Sequence, residues 1–197
     1  MRIGTRSLAI AAGLALAASL TAQDNKAPDE KAMMEAMQKA ATPGEAHKKL
    51  EPFVGTFDAK VRMWSDPSKP PQESTGTMTN SWVMGNRFVQ QSFEGSLMGQ
   101  PFQGTGYVGY DNVSKKIQSV WMDSMSTGMM YMTGTADASG KAVTTKGTMS
   151  DPGSGRTVPV QDKITVVDND HHTFELWGKG PGGKQMKYME IEYTRKK

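Results

Sequence analysis

From Gly55 onward, apolar and polar residues alternate with a period of two, in runs closed by Gly, Pro, Asn, Asp or Ser. Ten strands are predicted, over Thr56–Trp64, Ser74–Val83, Arg87–Gly95, Phe102–Tyr110, Lys116–Asp123, Met129–Thr135, Ala142–Ser150, Val158–Val167, Thr173–Gly178 and Met186–Arg195. The connections are short and rich in turn formers, as in Ser65-Asp66-Pro67, Gly85-Asn86, Asp111-Asn112 and Gly180-Pro181-Gly182-Gly183. Such connections imply hairpins in up-and-down order, and closing the sheet removes its two edges. The expected fold is therefore all-β, an antiparallel up-and-down β-barrel of about ten strands over 55–197. A two-sheet sandwich satisfies the same periodicity and is the alternative. In the last strand, strict alternation puts Lys187, Met189, Ile191, Tyr193 and Arg195 on one face, and Met186, Tyr188, Glu190 and Glu192 on the other.

Upstream of Gly55 the pattern is helical. Pro28-Asp29-Glu30 opens a segment in which Met33, Met34, Met37 and Ala41 share a face. Thr42-Pro43-Gly44-Glu45 reads as an N-cap, a first-turn proline and a capping-box glutamate, starting a second helix with a stripe of Ala46, Leu50 and Phe53. One or two short helices are thus expected within 23–54, after a polar, loose start at Gln23–Ala27. Residues 1–22 have Arg2 and Arg6, an apolar run from Leu8 to Leu20, and small residues up to Ala22. This is the layout of a secretory signal peptide cleaved between Ala22 and Gln23, and the run is shorter than the roughly 20 residues a spanning helix needs. The expectation is an exported protein, periplasmic or secreted, with no transmembrane segment in the mature chain.

The chain has no cysteine, which excludes both disulfides and a lipidated N-terminal Cys. The formal charge of +3 comes largely from the leader: without Arg2 and Arg6, 21 Lys and Arg face 20 acids, about +1. The single basic cluster, Arg195-Lys196-Lys197, reads as a solvated tail, so no nucleic-acid partner is expected.

Several segments resemble a family catalogued as domain of unknown function 1579. They are His47–Phe57 (HKKLEPFVGTF), Gly109-Tyr110-Asp111-Asn112, Trp121-Met122-Asp123-Ser124 followed by Ser126-Thr127-Gly128, Asp151-Pro152 with Gly155, and Met189–Arg195 (MEIEYTR). The resemblance spans His47 to Arg195. It implies a calycin-like barrel, similar to lipocalins and fatty-acid-binding proteins, and it implies no activity. In calycins the first strand carries Gly-x-Trp, the Trp being covered by an Arg from near the chain end. Here Gly55-Thr56-Phe57 has Phe in that place, and Arg195 is the candidate to cover it by a cation–π contact.

Candidate chemistry is sparse. The chain has 16 methionines, and Met122, Met125, Met129, Met130 and Met132 crowd one region in a spacing that loosely resembles soft-metal sites for Cu(I) or Ag(I). On a strand, only Met130 and Met132 of these converge, so adaptable apolar lining is the preferred role and no metal is assigned. His171-His172 after Asp168-Asn169-Asp170 reads as a solvated hairpin turn. A haem would need an axial ligand inside the barrel, and the pattern places none there, so no cofactor is expected. No nucleophile with a base, and no Gly-x-Ser-x-Gly elbow, is present. Asp123, beside Trp121, is the most interesting isolated carboxylate and is assigned to turn chemistry.

Tyr193 and Arg195 can be read in two ways. They resemble the pair that grips a carboxylate in fatty-acid-binding proteins, but Arg195 closing the barrel over Phe57 is preferred, since strand ends lie at barrel mouths. The expected function is a non-enzymatic carrier of a small, largely apolar ligand. Its lining would come from Met63, Trp82, Phe88, Trp121, Asp123, Met130, Met132, Tyr193 and Arg195, with Gly55, Phe57 and Arg195 closing the barrel. The alternatives are a cell-envelope interaction protein with a filled barrel, docking through its outer face or Met33-Met34-Met37, and an enzyme using Asp123 or Arg195.

Overall fold

A computed structural model describes residues 29–197, so the signal-peptide reading of 1–22 and the loose start at 23–27 lie outside the described residues. The strands are β1 (Gly55–Met63), β2 (Gln72–Val83), β3 (Phe88–Leu97), β4 (Gln100–Asp111), β5 (Lys116–Asp123), β6 (Met130–Ala136), β7 (Ala142–Asp151), β8 (Arg156–Val166), β9 (His171–Lys179) and β10 (Gln185–Arg195). Each pairs antiparallel with its sequence neighbours, and β10 returns to β1, closing one barrel. Closure decides against the sandwich. Turn chemistry drives the hairpins. Met98 and Gly99, both at positive φ between Leu97 and Gln100, make the two-residue mirror-image turn whose twist matches that of the strands.

The ladder registers divide each strand into an inward and an outward row. The inward rows of β1–β4 and β10 hold the main core: Phe57, Val61, Met78, Phe93, Phe102 and Ile191 are its larger members. A second cluster, Met132, Val160 and Leu176, lies across the barrel on β6, β8 and β9.

One departure from alternation lies in β10. Lys187 pairs with Trp177 and Met189 with Leu176, leaving Tyr188 as an extra, bulged residue. Tyr188 and Met189 both face inward, and the Tyr188 ring lies where a Cβ on Gly178 would sit. The expected face sharing of β10 is corrected below Met189. Lys187 points outward, ion-paired with Glu175 and Glu190 and held over the Trp177 ring at 5.2 Å, while Met186 points inward and is buried.

Helix α1 (Glu30–Ala41) is capped by Asp29, whose side chain accepts from the Lys31 N–H, and buries no residue. Met33, Met34 and Met37 are exposed on it. The expected Thr42 N-cap is a correction: Thr42 donates its hydroxyl to the Gln38 carbonyl at 2.7 Å and so ends α1 instead. Asn112 donates its side-chain amide to the Ala40 and Thr42 carbonyls at 3.0 and 2.8 Å, tying this end of α1 to the β4–β5 turn. Helix α2 (Glu45–Lys48) is a single turn capped by Gly44, whose N–H donates to His47 Nδ1 at 3.1 Å. A 3-10 turn (Glu51–Phe53) follows, and Leu50 and Phe53 are buried against Val89, with Trp82, Val108, Ile164 and Val166 around them. This segment closes one mouth of the barrel. No described helix is long and apolar enough to cross a membrane.

Candidate binding lumen

Arg195, on the last residue of β10, fixes the closed mouth. Its guanidinium donates to the carbonyls of Val54 at 2.7 Å, Pro52 at 3.0 Å and Asn169 at 2.9 Å, and its centre lies 4.6 Å from the centroid of the Phe57 ring. The side chain that crosses the first strand therefore also straps down the plug leading into it. Asp170 faces it at 3.3 Å. Gly55 takes a φ of +131°, and a Cβ there would strike the guanidinium, so a glycine at this position lets the arginine pass.

Beneath the plug sits His172, only 6% exposed. Its ring stacks on Tyr193 with centroids 4.5 Å apart, and the edges of Phe53 and Phe57 meet it at 5.2 and 4.7 Å. Burial first, and then the Arg195 charge, push its pKa down to about 4, so it is neutral at physiological pH. Burial alone holds the Tyr193 phenol well above its ordinary value. Asp162 on β8 is also inside: its Oδ1 accepts from the Thr145 hydroxyl at 2.7 Å and the Thr145 N–H at 3.2 Å, and burial pushes its pKa up. Asn80 on β2 donates its amide to the Phe53 carbonyl at 2.8 Å.

Toward the mouth opposite the plug the wall is Trp121, Met130, Met149, Met63 and Met189, all inward-facing and part-buried. Trp121 can lie flat against the sheet because Gly104 and Gly106 opposite it have no side chains; a Cβ on either would strike the indole. Gly104→Ala is expected to destabilise the barrel by about 1–3 kcal/mol through overpacking and to shift the Trp121 emission. Urea unfolding followed by fluorescence checks this, and an unchanged midpoint and spectrum would contradict the placement of the ring.

Eight of the nine candidate lining residues face inward; Phe88 does not. It pairs with Val83 and Gly109 in the outward row and is 40% exposed, because Val89 takes the inward place opposite Trp82. The other eight do not form one surface. Trp82 belongs to the plug and donates its indole N–H to Glu51 at 2.7 Å. Met132 is packed core, 1% exposed. Asp123 is engaged at both oxygens, accepting the Trp121 indole N–H at 3.0 Å and the Met125 N–H at 3.0 Å, which is the turn role expected of it.

Three interior polar groups were not legible as site residues. His172 was expected in a solvated turn with His171. The strand starts at His171, so His171 points out to Asp168 at 2.8 Å and His172 points in, which also corrects the expectation that no histidine lies inside the barrel. The signal was alternation with Phe174 and Leu176. Asp162 alternates with Val160 and Ile164, and Asn80 with Met78 and Trp82, but polarity argued against an inward reading.

Two concavities lie outside the lumen. A groove of about 690 Å³ runs along the outer face of β1 and β2, lined by Asp58, Lys60, Glu73 and Thr75 among others. A pocket of about 260 Å³ opens where the plug meets the rim, between Lys49, Tyr110, Lys115 and Asp137, with Leu50 and Ile117 as its floor.

The family described as "Protein of unknown function (DUF1579)" matches residues 42–195. Among solved structures, that of Rv2717c from M. tuberculosis is similar over 79% of this chain and 100% of that one, at 16% identity and a TM-score of 0.58, which supports the barrel fold alone. A redesigned β-barrel matches over 81% of this chain and 96% of that one at 15% identity, with a TM-score of 0.39. No curated protein matches.

Proposed function

We propose, for a chain that belongs to the DUF1579 family of proteins of unknown function, that its barrel is a carrier which holds a small, largely apolar molecule in the lumen without chemically changing it. The observation that carries this reading is exposure in the wrong place for a filled core. Gln91, Ser119 and Phe174 point inward from the middle of β3, β5 and β9, far from either rim, yet each keeps part of its surface open. Trp121, Met130 and Met189 continue that accessible surface toward the mouth opposite the plug. Aromatic and thioether walls suit apolar ligands of varied shape, since methionine adapts its rotamers to what it touches. Export completes the reading, supported by Arg2, Arg6 and the apolar run Leu8–Leu20.

Native mass spectrometry of the full chain, expressed with its leader and purified gently, tests both parts. A mass beginning at Gln23 and carrying a reproducible apolar adduct is expected. Ser119→Phe, which fills the middle of the lumen, should lose the adduct while keeping the far-ultraviolet spectrum of the parent. A bare mass from several expression hosts would move the weight to a filled barrel that acts through its outer face, and retention of residues 1–22 would remove export.

A further inference from the structure

We infer that the lumen selects neutral ligands that present a hydrogen-bond donor at their buried end, alcohols or amides rather than carboxylates; this rests on the carrier reading above. The first ground is charge. Between the two rims, the inward rows of the ten strands carry no lysine or arginine among the described residues. Arg195, at the closed end, is committed to the carbonyls of Pro52, Val54 and Asn169 and to the Phe57 face. Tyr193 next to it stacks on His172 and not against the guanidinium, so the pair does not form a carboxylate clamp. Asp162, 5% exposed, is a carboxylate inside the barrel. A carboxylate head would be buried without a counter-charge and in the field of an anion, which is a strongly unfavourable transfer.

The second ground is an orphan acceptor. Asn80 is 4% exposed, its Nδ2 is fixed by donation to the Phe53 carbonyl, and its Oδ1 is buried with no hydrogen-bond partner among the described residues. Its amide cannot be reversed without losing the bond to Phe53. Gln91, its neighbour across the ladder, points inward and is only part-buried. A buried acceptor without a donor is destabilising, and a hydroxyl or amide N–H supplied by a ligand relieves it, whereas a carboxylate brings only acceptors.

The test needs no variant. The full chain is titrated near neutral pH with decanol, its methyl ether and decanoate, read by tryptophan emission, to which Trp121 in the lumen wall contributes. Decanol is expected to bind at least about tenfold tighter than decanoate, for want of a counter-charge, and about tenfold tighter than the ether, for want of a donor. Decanoate binding as well as decanol, or an ether equal to the alcohol, would overturn the inference and leave the carrier reading standing. Failure of all three to bind would remove both.

Discussion

Replacing Arg195 with methionine is expected to lower the unfolding free energy by about 3 kcal/mol, the sum of several charge-assisted hydrogen bonds discounted for partial exposure. Methionine keeps an unbranched apolar stem over Phe57, so the loss isolates the guanidinium. Three carbonyls, those of Pro52, Val54 and Asn169, are left without their donor, and the first two belong to the plug. Lysine should restore only a minor part, because a single ammonium cannot reproduce the fork that reaches both the plug and the β8–β9 turn at once. Urea midpoints of the three proteins check the expectation. A methionine variant within about 0.5 kcal/mol of the parent, the usual range for a surface substitution, would mean that the plug is held by Leu50 and Phe53 alone.

Acidification should destabilise the barrel through His172 before the ordinary carboxylate range is reached. Its folded pKa of about 4 lies below the 6.5 of a free histidine, so the unfolded chain takes up the proton first. Stability from this group is therefore complete above about 6.5 and is lost as pH falls from there toward about 4, amounting to about 3 kcal/mol. The groups that face the ring are Arg195, whose charge adds to the shift, and Tyr193, which stays protonated throughout. Asp162 acts in the opposite sense: its raised pKa is a penalty at neutral pH that is relieved as pH falls through its folded value. The turn carboxylates Asp66, Asp111, Asp137, Asp151 and Asp168 are lowered by hydrogen bonds from their own turns, so their contribution is lost at pH below this window. His172→Phe keeps the stack on Tyr193 and removes the titration. Urea midpoints measured from neutral pH down to about 4 should fall for the parent and stay level or rise for the variant, and parallel curves would clear His172 of the effect.

Most of the barrel was legible because a two-residue period and turn residues are local signals. Every strand lies within two residues of its expected bounds. What failed was what locality cannot supply. Phe88 looks like lining by its character, but its face follows from the parity of Val89 and Trp82, which only the register with β2 reveals. Strict alternation groups Lys187 with Met189, because a bulge has no signature in composition; Tyr188 reads as an ordinary strand residue. A strand start expected at Thr173, two residues after the true one at His171, leaves His172 counted as turn. Thr42 carried the right side chain for a cap and used it on the helix behind instead of the one ahead. The barrel-closing contact of Arg195 with Phe57, by contrast, is what the resemblance to calycin-like barrels implies.

The seam between β1 and β10 has a different standing from the other nine. Those nine join strands adjacent in sequence, whereas the pairs from Phe57 with Arg195 to Met63 with Met189 join residues 138 to 126 positions apart. Hairpins can form as the chain is made, but this seam cannot be closed until its last strand has been synthesised. Until then the outer strand edges of β1 and of the growing sheet stay unpaired, and Phe57, Ala59 and Val61 have no β10 to pack on. A nascent chain that stalls before Gln185 is thus an open sheet with two sticky edges, and the last eleven-residue strand converts it into a molecule that has none.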